Sequence, residues 1–578
     1  MFVPPNFNMN KKELSFPCAF FILLCFIFLA ACKNTKRPPQ RDIASSPEQL
    51  IEKAKDNLRD LLAYAKENNG DIGDSVFLYN DSLVQHAYEK NFIGVFWSDK
   101  EKWRPYGDSL LGFVENAKLY GLFPEDYHLL QLNNIRGKFK NDSLGKSDRL
   151  DAALWSRADL LLTDAFIQVI KDIKLGRLPK DSITLRSDSV LTADFYLKQM
   201  NVLKQSGSLL RVIEPLEPRH KGYQLLKAGI KKFLDSADYR EFTPVPLPGK
   251  NTPAFKKALQ TRLYEGGLIM QNSIPADSIT LAQAIKRFQK RENLTVDGKA
   301  GTGTIRMLNM SDKEKFIRIA ITMDRYKMLP EIMPSKYIWV NLPGYYMKLI
   351  NNDSVRIFSK IICGKPATRS PVLTSAINNI VTYPQWTMPT SIIVKEVLPG
   401  VRKDTAYFAK KGYSLIDDEG NEVDPHTVNW SRYHKGIPYK VVQGSGDDNA
   451  LGVLKFNFNN KYAVYLHDTN QRYLFAQTIR SLSHGCVRVQ EWQKLAYEII
   501  RNDDTDSLKT SVKEDSLNSW LKQKVKRTIA IRNKLPVYIR YFTCEGGDNG
   551  ITFYDDMYGE DKLIREKYFA LKIEPLKK

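Results

Sequence analysis

The spacing of apolar residues changes near Lys336, and that change constrains the fold more than any other feature of the chain. Ahead of it, apolar residues recur at three- and four-residue steps, the mark of amphipathic helix. The stretch PEQLIEKAKDNLRDLLAYAKEN puts Leu50, Ile51, Ala54, Leu58, Leu61 and Leu62 on one face, behind a Ser46-x-x-Gln49 start of capping-box type. LDAALWSRADLLLTDAFIQVIKDIKLGRL and HKGYQLLKAGIKKFLDSA continue the pattern. Beyond Lys336 the period is two. KYIWVNL, YYMKLI, VRIFSKIICG, LKFNF, YAVYLHD and LPVYIRYFTC are short β-rich runs bounded by Gly, Pro, Asn and Asp. A chain of 578 residues also exceeds what one hydrophobic core holds. The expectation is a multidomain α+β protein. It has a helical scaffold over 47–243, a linker PVPLPGKNTP at Pro244–Pro253, and a compact helical unit over 254–310. A mostly-β domain follows over 313–578, interrupted by a polar, lid-like insertion at about 399–446.

The N-terminus bears on location. Lys11 and Lys12 precede the apolar run Cys18 to Ala31, which is too short to span a bilayer comfortably. The run ends in LAAC, Leu29 to Cys32, which resembles a bacterial lipobox. The resemblance implies a signal peptide over 1–31, lipid on Cys32, a tether over 32–46, and a protein held to a membrane of the cell envelope on its periplasmic face. An uncleaved membrane anchor is the alternative, and either places the rest of the chain outside the cytoplasm. Which membrane holds the lipid stays open. Three cysteines then remain in an oxidising compartment, Cys363, Cys486 and Cys544, and an odd number leaves at least one unpaired. Lys and Arg number 86 against 65 Asp and Glu, a net charge of +21 that favours anionic partners. There is no zinc finger, no aromatic-interleaved basic platform and no basic zipper helix, so nucleic acid is not the expected partner.

Chemistry concentrates in SLSHGCVRV, Ser481 to Val489. The residues that follow place Val489, Trp492, Leu495, Ala496, Ile499 and Ile500 on a helical stripe. Cys486 is therefore expected just before or within a first helical turn, where free N–H groups and the helix dipole favour a thiolate. Gly485 permits a sharp turn, and His484 and Arg488 add polar or positive character. His467, near the end of the strand YAVYLHD, is the candidate base. Taken singly, Cys486 reads equally as a buried inert thiol, and His467 as a strand-end histidine with no role. A zinc site of His467, His484 and Cys486 lacks an obvious fourth ligand.

Two resemblances go further. Ala284, Phe288, Gln289, Leu294, Asp297, Gly298, Gly301, Thr304 and Leu308 together resemble the small three-helix peptidoglycan-binding domain of bacterial wall enzymes; a generic helical hairpin is the alternative. His467 followed by Ser483-His484-Gly485-Cys486-Val487-Arg488 resembles the signature of the L,D-transpeptidases, the YkuD-like family, and ICGKPATRSP resembles the family's glycine-lysine turn. With the helical N-terminal region, the wall-binding unit and the long insertion, WTMPTSIIVKEVLPGVRKD, NALGVLKFNF and FYDDMYGED extend the resemblance to the large multidomain L,D-transpeptidases of Gram-negative bacteria. The resemblance implies Cys486 as nucleophile, His467 as general acid/base oriented by the Asp468 carbonyl, and the N–H groups of Gly485 and Cys486 as an oxyanion hole. It implies loop support from Ser483 and His484, and pocket roles for Arg488, Tyr465 and Trp386. The implied reaction joins third-position diaminopimelate residues of two stem peptides through a thioester, with release of D-Ala. Water as acceptor would give a carboxypeptidase; a wall-cutting cysteine hydrolase and a non-catalytic wall-binding lipoprotein are the other options. The implied partners are peptidoglycan stem peptides and glycan, with acylation of Cys486 by carbapenems. No metal or other cofactor is implied.

Overall fold

The structure is a computed structural model that describes residues 37–91, 94–141, 148–187, 191–247, 253–272, 274–504 and 506–569. The expected signal peptide and Cys32 lie outside the described residues. The chain divides into two compact units. Among the described residues the first comprises 37–115, Pro124–Ile170 and Leu191–Val212, and the second the remainder.

The first unit is helical. Its Pro47–Glu67 helix starts where the sequence indicates, with Ser46 Oγ accepting from Gln49 N at 3.2 Å. The helix beginning at Ala152 is apolar on nearly every side, and Leu160, Leu162, Ala165, Phe166 and Ile167 are all fully buried, so it runs through the centre of the unit. Two carboxylates on it are buried and satisfied. Asp159 accepts from the backbone N–H groups of Phe96 and Trp97, and Asp164 from those of Tyr79 and Asn80. These bonds fasten irregular segments to the central helix, because a buried carboxylate is tolerated only when its oxygens are paired.

In the second unit the helices Pro253–Glu265, Ser278–Arg291 and Thr302–Leu308 form the small domain. Its motif spacing has a physical cause. The buried Gln289 amide donates to Asp297 Oδ1 at 2.7 Å, Lys299 O at 3.1 Å and Thr304 Oγ1 at 3.2 Å, and accepts from the N–H groups of Asp297 and Gly298. Gly298 holds φ +73°, the left-handed turn that brings those two N–H groups onto one oxygen. Phe288, beside Gln289, packs with Ala284, Ile305 and Leu308 in the domain core.

The mostly-β domain is built on β1 (Lys336–Asn341), β2 (Tyr346–Asn351), β3 (Ser354–Gly364), β4 (Leu373–Thr382), β5 (Leu454–Phe458), β6 (Leu466–His467), β7 (Ser481–Ser483), β8 (Val487–Val489) and β9 (Arg527–Arg540). Their order is β7-β3-β8-β6-β5-β4-β9-β1-β2, and a further pairing of β2 with β3 closes the sheet on itself. The long β3 makes closure possible: its first part pairs with β2, and Ile361 and Ile362 pair with β8. Alternate residues, among them Val340, Ile377, Phe456, Leu466 and Val487, fill the interior. The helix Trp492–Asp503 packs Leu495, Ala496, Ile499 and Ile500 into the same core.

Between β4 and β5 lies a subdomain with its own sheet, formed by Trp386–Thr387, Tyr413–Ile416, Glu422–Val423 and Lys440–Gln443. Its separate core includes Met388, Ile392, Leu398, Phe408, Leu415 and Val441. The subdomain thus takes in Trp386, ahead of the expected start near 399. Cys363 and Cys544 are both free and fully buried. Cys363 is part of the β core, and Cys544 donates to Arg318 O.

Candidate active site

Strand register builds the site. β6 and β8 run parallel, with Leu466 opposite Val487 and His467 opposite Arg488. Leu466 and Val487 point into the core. Side chains alternate along a strand, so Tyr465, His467, Cys486 and Arg488 share the other face. On its other side β6 pairs with β5, which sets Lys455 opposite His467. Three adjacent strands therefore gather Lys455, Tyr465, His467, Cys486 and Arg488 into one patch. The histidine and the thiol, distant in sequence, become neighbours through a parallel ladder.

This corrects the expectation of a helix start at Cys486. Val487–Val489 is a strand, and the helix begins only at Trp492. The field of a helix terminus fades within its first turn, so it does not act on this thiol. Of the expected helical stripe, Val489 lies on the strand, while Leu495, Ala496, Ile499 and Ile500 are buried on the helix.

The loop before Cys486 is tightly held. Ser483 Oγ accepts from Gly485 N at 3.2 Å and donates to Cys486 O at 2.6 Å. Gly485 has φ +126°, a conformation that L side chains rarely adopt. Its carbonyl accepts from Ser370 Oγ at 2.6 Å. Ser483 O accepts from Lys365 N at 2.9 Å and from Thr368 Oγ1 at 3.1 Å. The ICGKPATRSP turn is thus a cradle under the Cys486 loop. Gly364 is required there, since a Cβ would stand 2.1 Å from Thr368 O. Tyr558 fixes the turn from beneath, donating to Gly364 O at 2.7 Å. Thr368 and Ser370 lie within ICGKPATRSP and Tyr558 within FYDDMYGED, but the sequence assigns them no role, because nothing in their local spacing ties them to Cys486.

The electrostatics follow from burial. Desolvation pushes the Cys486 thiol up; Tyr465, through its backbone and hydroxyl, and the cations Lys455 and Arg488 oppose the rise. Burial brings the His467 imidazole down to about 3, and the Arg488 charge adds to that, against the backbone carbonyls of Asp468 and Leu451. Near neutral pH the pair is a thiol beside a neutral imidazole. His467 Nδ1 is buried with no hydrogen-bond partner, which leaves a lone pair open to a proton. The Asp468 carboxylate does not reach the ring: it accepts from Val453 N at 3.1 Å and pairs with Arg472.

The remaining sequence-derived residues divide. Cys486 raises the Tyr465 phenol and the Trp386 side chain opposes that rise, so both residues stand near the thiol. Arg488 Nη1 donates to Thr469 Oγ1 at 3.3 Å and Gln471 Oε1 at 3.2 Å, and it has no carboxylate partner among the described residues. His484 is exposed and turns to Glu396 of the subdomain. Lys455 was not singled out in the sequence; only the β5–β6 register reveals it.

One compact unit thus holds a closed β domain with a strand-borne Cys–His pair and a small helical domain built around a glutamine hub. A family model described as L,D-transpeptidase catalytic domain matches residues 335–504. A putative peptidoglycan binding domain matches 254–308, and a scaffold domain 82–229. The three matches lie in one chain, with the scaffold and peptidoglycan-binding regions ahead of the region that matches the L,D-transpeptidase catalytic domain.

A curated relative, a putative L,D-transpeptidase from Haemophilus influenzae, is 33% identical over 247 residues, which cover 43% of this chain and 48% of the relative. The chain thus spans about half the length of that relative. Among solved structures, an L,D-transpeptidase from Stackebrandtia nassauensis is 14% identical with a TM-score of 0.18, covering 52% of this chain and 97% of its own. One from Mycobacterium smegmatis is 11% identical with a TM-score of 0.17, covering 36% and 58%.

Proposed function

We propose that this protein is a peptidoglycan L,D-transpeptidase that joins third-position diaminopimelate residues of two stem peptides. The observation that carries the reading is the shared strand face of His467 and Cys486 within an L,D-transpeptidase catalytic domain. His467 Nδ1 takes the thiol proton as sulphur attacks the carbonyl of the L-centre of diaminopimelate in a tetrapeptide stem. The C–N bond to D-Ala breaks, His467 returns the proton to the leaving amine, and a thioester remains on Cys486. The side-chain amine of a second stem then attacks the thioester and gives up a proton through His467; the C–S bond breaks and the Cys486 thiol is restored. The broken peptide bond supplies the energy for the new one, so the reaction needs no nucleotide.

The oxyanion needs a preorganised donor. Gly485 N–H is engaged by Ser483 Oγ, whereas Cys486 N–H makes no hydrogen bond among the described residues. We assign Cys486 N–H as the oxyanion donor, with Gly485 as the residue that lets the loop present it. Arg488 and the basic surface suit stem carboxylates, and the small domain holds the wall polymer nearby. The same reading puts the protein in the cell envelope, lipid-anchored through Cys32.

Incubating the purified chain with tetrapeptide muropeptides tests this. Chromatography should reveal crosslinked dimers and free D-Ala, both absent with Cys486→Ala. D-Ala release without dimers would make the protein a carboxypeptidase, and wall fragments of other kinds a hydrolase. No product at all would end the enzymatic reading.

A further inference from the structure

The register leaves one cation at the thiol without a task. Lys455 stands opposite His467 on β5, half-buried, with its Nζ 3.8 Å from the Tyr465 ring centroid. That ring shares the strand face of Cys486, and Tyr465 O accepts from Val487 N, the residue after the cysteine, at 3.1 Å. Lys455 has no carboxylate within ion-pair distance among the described residues. A half-buried ammonium without a counter-ion is an unfavourable arrangement unless a negative charge arises nearby. The negative charge that can arise on this face is the Cys486 thiolate. The helix terminus that would ordinarily favour such a thiolate begins too late in the chain to act.

We propose that Lys455 is a positioning residue for the thiolate: its charge, set over the Tyr465 ring, holds the anionic form of Cys486 in place of a helix N-terminus. The proposal rests on Cys486 being the nucleophile. The two charges favour each other reciprocally: burial lowers Lys455, the Cys486 anion pulls it back up, and Lys455 in turn draws the thiol down. The other ionisable groups around the thiol are Arg488, which acts in the same direction, the neutral imidazole of His467 and the phenol of Tyr465. Lys526 acts on Lys455, and His484 is taken up by Glu396.

The test reads the thiol itself, independently of any wall substrate. The rate of iodoacetamide alkylation at Cys486 is followed against pH by peptide mass spectrometry in the full chain, in Lys455→Met, Lys455→Gln and Lys455→Arg. Removing one nearby cation should raise the midpoint by about one pH unit. Near neutral pH the thiolate fraction then falls about tenfold, but a more basic thiolate is about threefold more nucleophilic, so the rate falls about threefold. Lys455→Arg should stay close to the unmodified chain. A midpoint unmoved in both neutral variants, with native near-ultraviolet circular dichroism, overturns the proposal while leaving the nucleophile in place. A Cys486 that no pH alkylates in the unmodified chain overturns the nucleophile reading and this one with it.

Discussion

Ser483→Ala isolates what holds the reactive loop. The Ser483 hydroxyl ties Gly485 N–H to Cys486 C=O across one buried oxygen, at 3.2 Å and 2.6 Å. Its removal leaves a donor and an acceptor unpaired in a site where Ser483 is 3% exposed. A buried polar group without a partner costs about 1–3 kcal/mol, so the pair amounts to about 2–4 kcal/mol after partial relaxation. At the lower end of that range, a domain of this size melts about 4–8 °C lower. The chemical effect should be larger than the stability effect suggests. Gly485 sits at φ +126°, and once its N–H is released the loop no longer fixes where the sulphur and Cys486 N–H point. Misplacement of a reacting group by about 1 Å costs about a hundredfold in rate. The assay is single-turnover acylation by a tetrapeptide stem, alongside calorimetric melting. Acylation should slow about 10- to 100-fold, in line with that geometric loss, with partial rescue by Ser483→Thr. Acylation within about twofold of the unmodified chain would mean that Ser483 does not hold the loop.

Three further outcomes follow from the same contacts. His467 is held down to about 3, so between pH 6.5 and about 3 the unfolded chain takes up a proton that the folded one refuses. Stability should therefore decline as pH falls through that window, and urea titrations of His467→Gln should lack this part of the slope. Gln289→Met removes the hub of the small domain and should destabilise it by about 2–4 kcal/mol, read as early loss of hydrogen-exchange protection over 278–308 with the β core unaffected. Burial pushes the Cys363 and Cys544 thiols up to about 12, so in the native protein mass mapping should find Cys486 alkylated and those two untouched until denaturant is added.

How much of this was legible in the sequence depended on how local the signal was. The change of period at Lys336 separates helical from β regions because burial of one face repeats along each element. The small domain was legible because Gln289, Asp297, Gly298 and Thr304 meet across one short connection between consecutive helices. Cys486 and His467 could be named, but not how they meet. Val487–Val489 is three residues long, too short for alternation to register, and it runs directly into a helical stripe, so the strand was read as helix. The parallel pairing that joins β6 to β8 is a tertiary choice with no local mark. Lys455 was hidden for the same reason, since in sequence it is one lysine in a polar-apolar alternation. The subdomain start at Trp386 was missed because TMPTSIIVKEVLP reads equally as strand or helix until its own core is seen.

The central claim is that Cys486 carries the acyl group and that His467 activates it. Intact-mass measurement on rapidly quenched full-length protein mixed with a diaminopimelate tetrapeptide stem tests this most directly. A mass gain equal to the stem minus D-Ala is expected, mapped to Cys486, absent in Cys486→Ala and strongly reduced in His467→Gln. An unmodified Cys486 throughout turnover, or an adduct of equal rate in His467→Gln, would contradict it.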